Sequence, residues 1–298
     1  MLQTVSIARR QAKPSGDAAP DRRAAGHEKD SRSSGISAAE FSQLKTWLYD
    51  TSGIHLSEHK HALVTGRLST RLRHHGLASY GEYFRLLTGG AHPDEAQIAT
   101  DLLTTNETHF FREPKHFDFL RNSILAKQPA GRMLRVWCAA SSSGEEPYSI
   151  AMTLAASLGD APWEVLASDL SSRVLERAKT GHYAMARAKT IPREHLQAYC
   201  LKGVGAREGT FLLEPKIRGR VQFTQINLNG TLPQIGEFDV IFLRNVMIYF
   251  NQDTKRQVVA RVLEKLRLGG HLIVGHAESL NGLSDRVAPV MVSVYRKT

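Results

Sequence analysis

The stretch Arg135–Thr153 (RVWCAASSSGEEPYSIAMT) leaves this chain the fewest ways to fold. An apolar run, Leu134–Cys138, breaks into a loop of small residues, Ala139 to Gly144. Two acids and a proline then open a helical pattern of Tyr148, Ile150, Ala151 and Leu154. Pro147 suits a first helical position, because its fixed φ fits and its missing N–H would be unpaired there. Strand, small-residue loop and helix is how an open α/β sheet lets a ligand approach backbone closely. Glu145 and Glu146 stand where a phosphate-binding loop needs bare N–H groups. The loop is therefore expected to favour a ligand of positive character over a pyrophosphate.

The following sequence keeps an α/β rhythm. Glu164–Ser168 reads as a second strand with Asp169 at its tip, placed to accept hydrogen bonds from ribose hydroxyls. Helical Arg173–Thr180 follows, then strands at Gly219–Thr224 and Phe238–Leu243, the latter ending in Arg244 and Asn245. Gly269 and Gly270 introduce a strand at His271–Val274, and Val290–Tyr295 reads as one last strand. Alternating strands and helices predict a parallel-type sheet whose site lies at the strand carboxyl ends. Cys138–Glu146, Asp169 and Arg244–Asn245 all fall there. Cys138 itself reads as a small buried strand residue.

At 298 residues the chain can bury a full core and is expected to hold two domains. Residues 1–35 are poor in large apolar side chains and read as a disordered tail. Ser37, three residues before Glu40, resembles a capping box ahead of Phe41, Leu44, Trp47 and Leu48. Further helices are expected over Leu63–Leu72, Tyr80–Leu87 and Glu95–Leu103, giving a helical domain over 36–104. A linker near Thr104–Pro114 leads into an α/β domain over 105–298. No apolar run reaches membrane-spanning length and no secretory leader opens the chain, so direct membrane insertion is not expected. Two cysteines are too few for a disulfide framework, which suits a reducing cytoplasm. His55, His59 and His61 lack the supporting spacing of a zinc site, so no metal is expected.

The formal charge of +10 suits an acidic partner without naming one. Val64, Leu68 and Leu72 form an apolar stripe, and Lys60, Arg67, Arg71 and His74 a basic one beside it. The basic stripe reads either as a solvated face or as an electrostatic docking surface.

Four segments in register, Thr105–Pro114 (TNETHFFREP), Ser143–Ser149 (SGEEPYS), Ala167–Leu170 (ASDL) and Arg244–Phe250 (RNVMIYF), resemble the CheR-type chemotaxis receptor methyltransferases. That family uses S-adenosylmethionine, leaving S-adenosylhomocysteine, to methylate glutamate side chains of chemoreceptors. The resemblance covers roughly Ser37 to Arg296. It shares AASSSG in place of the glycine-rich first motif usual in methyltransferases. It implies a class I (Rossmann-like) methyltransferase fold with a small N-terminal all-α domain and an antiparallel β-subdomain inserted at about 181–219. The cofactor contacts it implies are Asn106, Thr108, Arg112, Glu146 with Glu145 close behind, Asp169, Asn227, Leu228, Arg244 and Asn245. Arg112 and Tyr249 would flank the transferred methyl and the substrate carboxylate. The helical domain would dock the receptors' cytoplasmic helical domain at membrane arrays, and Gly203 and Gly205 in KGVGAREG resemble members that grip a receptor's C-terminal peptide.

The residues alone allow plainer roles. Asn106 and Thr108 could cap a helix beginning near Phe110, Asp169 could cap its own helix, Arg112 could pair structurally and Tyr249 could be a core aromatic. Phe110, Phe111 and Phe117 are expected in the core. Competing functions are a methyltransferase acting on RNA, disfavoured because stacking aromatics are missing from the basic helix, and a noncatalytic cofactor-binding sensor. A nicotinamide oxidoreductase fits poorly with acids at the pyrophosphate position.

Overall fold

Ser37 caps the first helix as its spacing predicts. Its Oγ accepts from the Glu40 N–H, and Glu40 Oε2 accepts from the Ser37 N–H, a reciprocal box at the start of α1 (Ala38–Ser52). The computed structural model describes Gly35–Thr298, so the expected tail lies, except for Gly35, outside the described residues. Helices α2 (His61–His74), α3 (Tyr80–Thr88) and α4 (Pro93–Leu103) follow. Phe41, Leu44, Val64, Leu68 and Tyr83 lie in an apolar core drawn from these four helices.

After α5 (Lys115–Phe119) the alternation begins with β1 (Leu134–Cys138), α6 (Glu145–Leu158), β2 (Trp163–Asp169) and α7 (Ser172–Thr180). A separate antiparallel sheet then interrupts it, with β3 (His182–Ala184), β4 (Cys200–Lys202) and a central β5 (Thr210–Leu213). Short helices α8 (Arg193–Tyr199) and α9 (Pro215–Arg218) flank β4 and β5. The main sheet resumes with β6 (Val221–Gln225), β7 (Phe238–Leu243), α10 (Gln252–Glu264), β8 (Leu266–Val274), β9 (Val287–Met291) and β10 (Val294–Lys297).

The main sheet runs β6-β2-β1-β7-β8-β10-β9. Its first five strands are parallel, and β10 is antiparallel to both neighbours. The strand order reverses at β1, whose neighbours β2 and β7 lie on either side, so the topological switch point falls beside Cys138 and Arg244. Apart from Arg135, β1 is apolar on both faces because both are covered. Val136 and Cys138 enter one core and Trp137 the other.

Three local expectations are corrected. Val290–Tyr295 is not one strand but the turn of the β9–β10 hairpin, reversed at Ser293 with φ +64°. Gly269 and Gly270 lie inside β8, which begins at Leu266. Pro147 is third in α6 rather than first; it is tolerated there because the first four helical N–H groups lack intrahelical acceptors anyway. The helix starts earlier because Gly144, at φ +96°, turns the chain tightly. A Cβ there would lie 2.7 Å from Tyr183 Oη.

Asp101 joins the helical layer to the sheet layer. From the end of α4 its carboxylate accepts from the N–H groups of Ser172 (3.1 Å) and Arg173 (3.2 Å) and from Ser172 Oγ (2.9 Å), at the start of α7. A buried acid here serves two donors of the first turn of α7 and the dipole together. Asp101→Ala is expected to lower unfolding stability by about 1–3 kcal/mol, measured as a shifted denaturant midpoint.

Candidate functional site

A cavity opens above the carboxyl ends of β1, β2 and β7. Its lining includes Asn106, Thr108, Arg112, Glu146, Asp169, Asn227, Leu228, Arg244, Asn245 and Tyr249. These come from five separated stretches of sequence. Glu145, by contrast, does not line it. Its side chain is fully buried, accepting from Ser143 Oγ (2.6 Å) and Arg187 Nη1 (2.8 Å). The acidic pair is divided, and Glu146 is the member that faces the cavity.

Arg244 organises the floor. Buried at the end of β7, it ion-pairs with Glu146 through Nη1. Through Nη2 it donates to the Arg112 carbonyl (2.6 Å) and to Glu113 Oε2 (2.9 Å). Burial alone would disfavour its charge, but Glu146 and Glu113 reverse that and hold the guanidinium protonated. The reciprocal effect appears at Glu113: burial pushes its pKa up, Arg244 outweighs it, and the carboxyl titrates below its ordinary value.

Asp169 stands at the tip of β2. Oδ2 accepts from the Ser142 N–H (2.8 Å) and Oδ1 from the Ser171 N–H (2.9 Å). Burial raises its pKa against those hydrogen bonds. A carboxylate has further lone pairs for ligand hydroxyls. It does not cap α7; Ser171 does. Nor do Asn106 and Thr108 cap a helix near Phe110, since the next helix starts at Lys115. Phe110, Phe111 and Phe117 are buried in the core. Cys138 is fully buried, and burial pushes its thiol well above the ordinary value, unsuited to a nucleophile.

Backbone strain gathers here. Among the described residues five non-glycine positions have positive φ, and four of them, Phe111, Glu113, Ser142 and Asn245, belong to these loops. Glu278 holds one of them: it accepts from the N–H groups of Asn245 (2.8 Å), Met247 (2.7 Å) and Gly275 (2.7 Å). Glu113 and Glu278 escape sequence reading. The only signal for either is an acid beside an otherwise apolar or motif segment.

The cavity wall is completed by the helical layer. Ser52 and Ile54 line it, Ile54 bridges to Phe250, and the Thr51 carbonyl accepts from Asn227 Nδ2 (2.6 Å). Tyr249 is half-buried, and burial raises the pKa of a hydroxyl that is protonated at neutral pH in any case, so it can serve as a hydrogen-bond donor. Arg112 donates only to the Glu107 carbonyl (3.2 Å) among the described residues, leaving other N–H groups for a ligand.

The basic stripe on α2 divides. Lys60 and His74 are exposed. Arg67 instead donates to the carbonyls of Leu103 and Thr104, both at 2.9 Å. Arg71 pairs with the buried Glu95 at 2.8 and 2.5 Å. Gly203 and Gly205 lie in the β4–β5 connection. A Cβ at Gly203 would come 2.0 Å from the Arg207 carbonyl, so that glycine is required by the turn itself, and Gly205 has φ +55°.

The residues fit S-adenosylmethionine. Three lining carboxylates, Glu107, Glu146 and Asp169, exceed two guanidiniums, Arg112 and Arg244, in a chain of formal charge +10. This polarity favours a cationic donor over a phosphate. A mostly parallel sheet with an antiparallel β10 and its switch point under such a cavity is the ground plan of the class I S-adenosylmethionine-dependent methyltransferases. The CheR methyltransferase SAM-binding domain matches residues 106–295, and the CheR methyltransferase all-alpha domain matches residues 39–104. The chain is 42% identical to the chemotaxis protein methyltransferase of Escherichia coli K12, over 87% of this chain and 91% of that one. It is 40% identical to chemotaxis protein methyltransferase 2 of Pseudomonas aeruginosa, over 86% and 92%, and 34% identical to the chemotaxis protein methyltransferase of Borreliella burgdorferi, over 88% and 95%. The chain belongs to the CheR methyltransferase family. No helix among the described residues is long and apolar enough to cross a membrane.

Glu95 gives a pH test of Arg71's role in the fold. Burial raises its pKa, but hydrogen bonds from Arg71, Tyr83 and His75 prevail and lower it to about 2. Its ionised form therefore adds stability that is full above the unfolded carboxylate range and lost as pH falls toward about 2. Arg71→Leu strands the carboxylate. The stability deficit against the unsubstituted chain is expected to be largest at neutral pH and to shrink on acidification below about 4, followed by denaturation across pH.

Proposed function

We propose that this chain transfers the methyl group of S-adenosylmethionine to glutamate side chains of chemoreceptors, forming methyl esters. The observation that carries the reading is the meeting of Arg112, Tyr249, Glu146, Asp169 and Arg244 around one cavity. Its relatives' names supply the chemotactic setting. When bound, the cofactor supplies an electrophilic methyl on a sulfonium centre. Asp169 would hold the ribose, Asn227 and Leu228 the adenine side, and Asn106, Thr108, Glu146, Arg244 and Asn245 the remaining polar contacts.

The acceptor carboxylate has an ordinary pKa of about 4.3 and is already ionised at neutral pH, so no general base is needed. Tyr249, a phenol protonated at neutral pH whose pKa burial raises further, is suited to donate a hydrogen bond and not to act as a base. Arg112 would align the incoming carboxylate with its free N–H groups, and Tyr249 would close the reacting space. Attack joins opposite charges, so excluding water helps and alignment supplies much of the acceleration.

The exposed Lys60 and His74 on α2 would meet an acidic surface of the receptors' cytoplasmic helical domain, while Arg67 and Arg71 keep the helix in place. A receptor's C-terminal peptide would add to an edge of the small sheet, where Leu201 and Val204 are exposed. Cytoplasmic location and recruitment to membrane receptor arrays follow from the same reading.

Arg112→Ala and Tyr249→Phe are each expected to lower turnover on a receptor cytoplasmic fragment by about 10–100-fold, with cofactor affinity changed far less. Calorimetric binding beside methyl-transfer rates separates the two effects. Undiminished turnover in both variants would overturn their assignment.

A further inference from the structure

The inserted antiparallel sheet grips the loop that carries Asn106, Thr108 and Arg112. Arg187, in the helical turn just after β3, donates from Nη1 to the Thr108 carbonyl (2.9 Å) and to Glu145 Oε1 (2.8 Å). That one nitrogen ties the motif loop to the first turn of α6. Further along the same loop, Phe110 packs edge-on against Tyr183 of β3 and tilted against Phe211 of β5, with centroids 5.0 and 5.8 Å apart. The ring of His195 from α8 stacks on Phe111 at 5.4 Å and 6°, beside Arg112.

The loop needs such restraint. Phe111 and Glu113 both hold positive φ, a conformation that side-chain-bearing residues keep only where surroundings enforce it. It has no regular secondary structure between Thr105 and Pro114, so its shape depends on these outside contacts. Resting on the site assignment above, we infer that Arg187 is a positioning residue for methyl transfer, through which the inserted sheet sets the loop that presents Thr108 and Arg112. A ligand strand joining β3 or β4 would add to the same sheet and bear on the loop through β3 and Arg187.

Arg187→Met alone would leave Glu145 buried without its cation, a purely structural fault. The informative variant is Arg187→Met/Glu145→Gln, compared with Glu145→Gln: the charge pair is absent from both, so they differ in the hold on the Thr108 carbonyl and on the side-chain oxygen at position 145. With a receptor cytoplasmic fragment and labelled S-adenosylmethionine, kcat is expected to fall about tenfold or more against Glu145→Gln. KM for the receptor fragment should move less than about twofold. Hydrogen exchange should accelerate across 105–113 and stay unchanged in β1 and β7. Arg187→Lys, which keeps a cationic donor, is expected to recover part of kcat. A double variant with the kcat of Glu145→Gln would overturn the inference. So would a kcat loss matched by a lower melting temperature and uniformly faster exchange. Arg112→Ala in the same assay reads the site assignment separately: full kcat there removes Arg112's role, whereas the loop exchange rates still decide Arg187's.

Discussion

A buried guanidinium, Arg244, is the joint on which the site depends. It binds Glu146 in the first turn of α6, Glu113 and the Arg112 carbonyl in the motif loop, and it is itself the residue that follows β7. Three segments far apart in sequence therefore share one cation. A buried ion pair is weak support for stability when compared with apolar packing, but removing one member of a formed pair leaves an uncompensated charge and costs about 3–5 kcal/mol. The arrangement also leaves the cavity with more carboxylate than guanidinium. A sulfonium donor suits that balance.

Two smaller units close what the main sheet begins. The helical layer contributes Ser52 and Ile54 to the cavity and is fastened by Asp101 at the head of α7. Arg67 draws the end of α4 and Thr104 toward α2, just ahead of the motif loop. The inserted sheet restrains that loop from the other side, and Tyr183 Oη donates to the Ser143 carbonyl of the small-residue loop (2.8 Å). Each accessory unit thus touches the loops that bear the chemistry.

Much of this could be read from sequence because it follows local rules. The strand–loop–helix at 134–158 declares a parallel sheet, and the positions of Asp169 and Arg244 follow from being last or next after apolar strands. Ser37 and Glu40 announce a helix start three residues apart. Long-range pairings carry no such mark. Glu113 finds Arg244 131 positions away, Arg187 finds Glu145 at 42, and Glu278 serves Asn245 at 33. The same blindness made Arg71 look like a free surface charge, because its acid, Glu95, lies on another helix. It also hid the β9–β10 turn, where no glycine or proline stands at Ser293 to mark the positive φ.

The most direct test is the chemistry of the transferred methyl. Chemoreceptor membranes incubated with this protein and methyl-labelled S-adenosylmethionine should become labelled, and mild alkali should release the label as methanol, as a carboxyl methyl ester requires. Label on the receptor that resists alkali, or incorporation into RNA in its place, would contradict glutamate esterification.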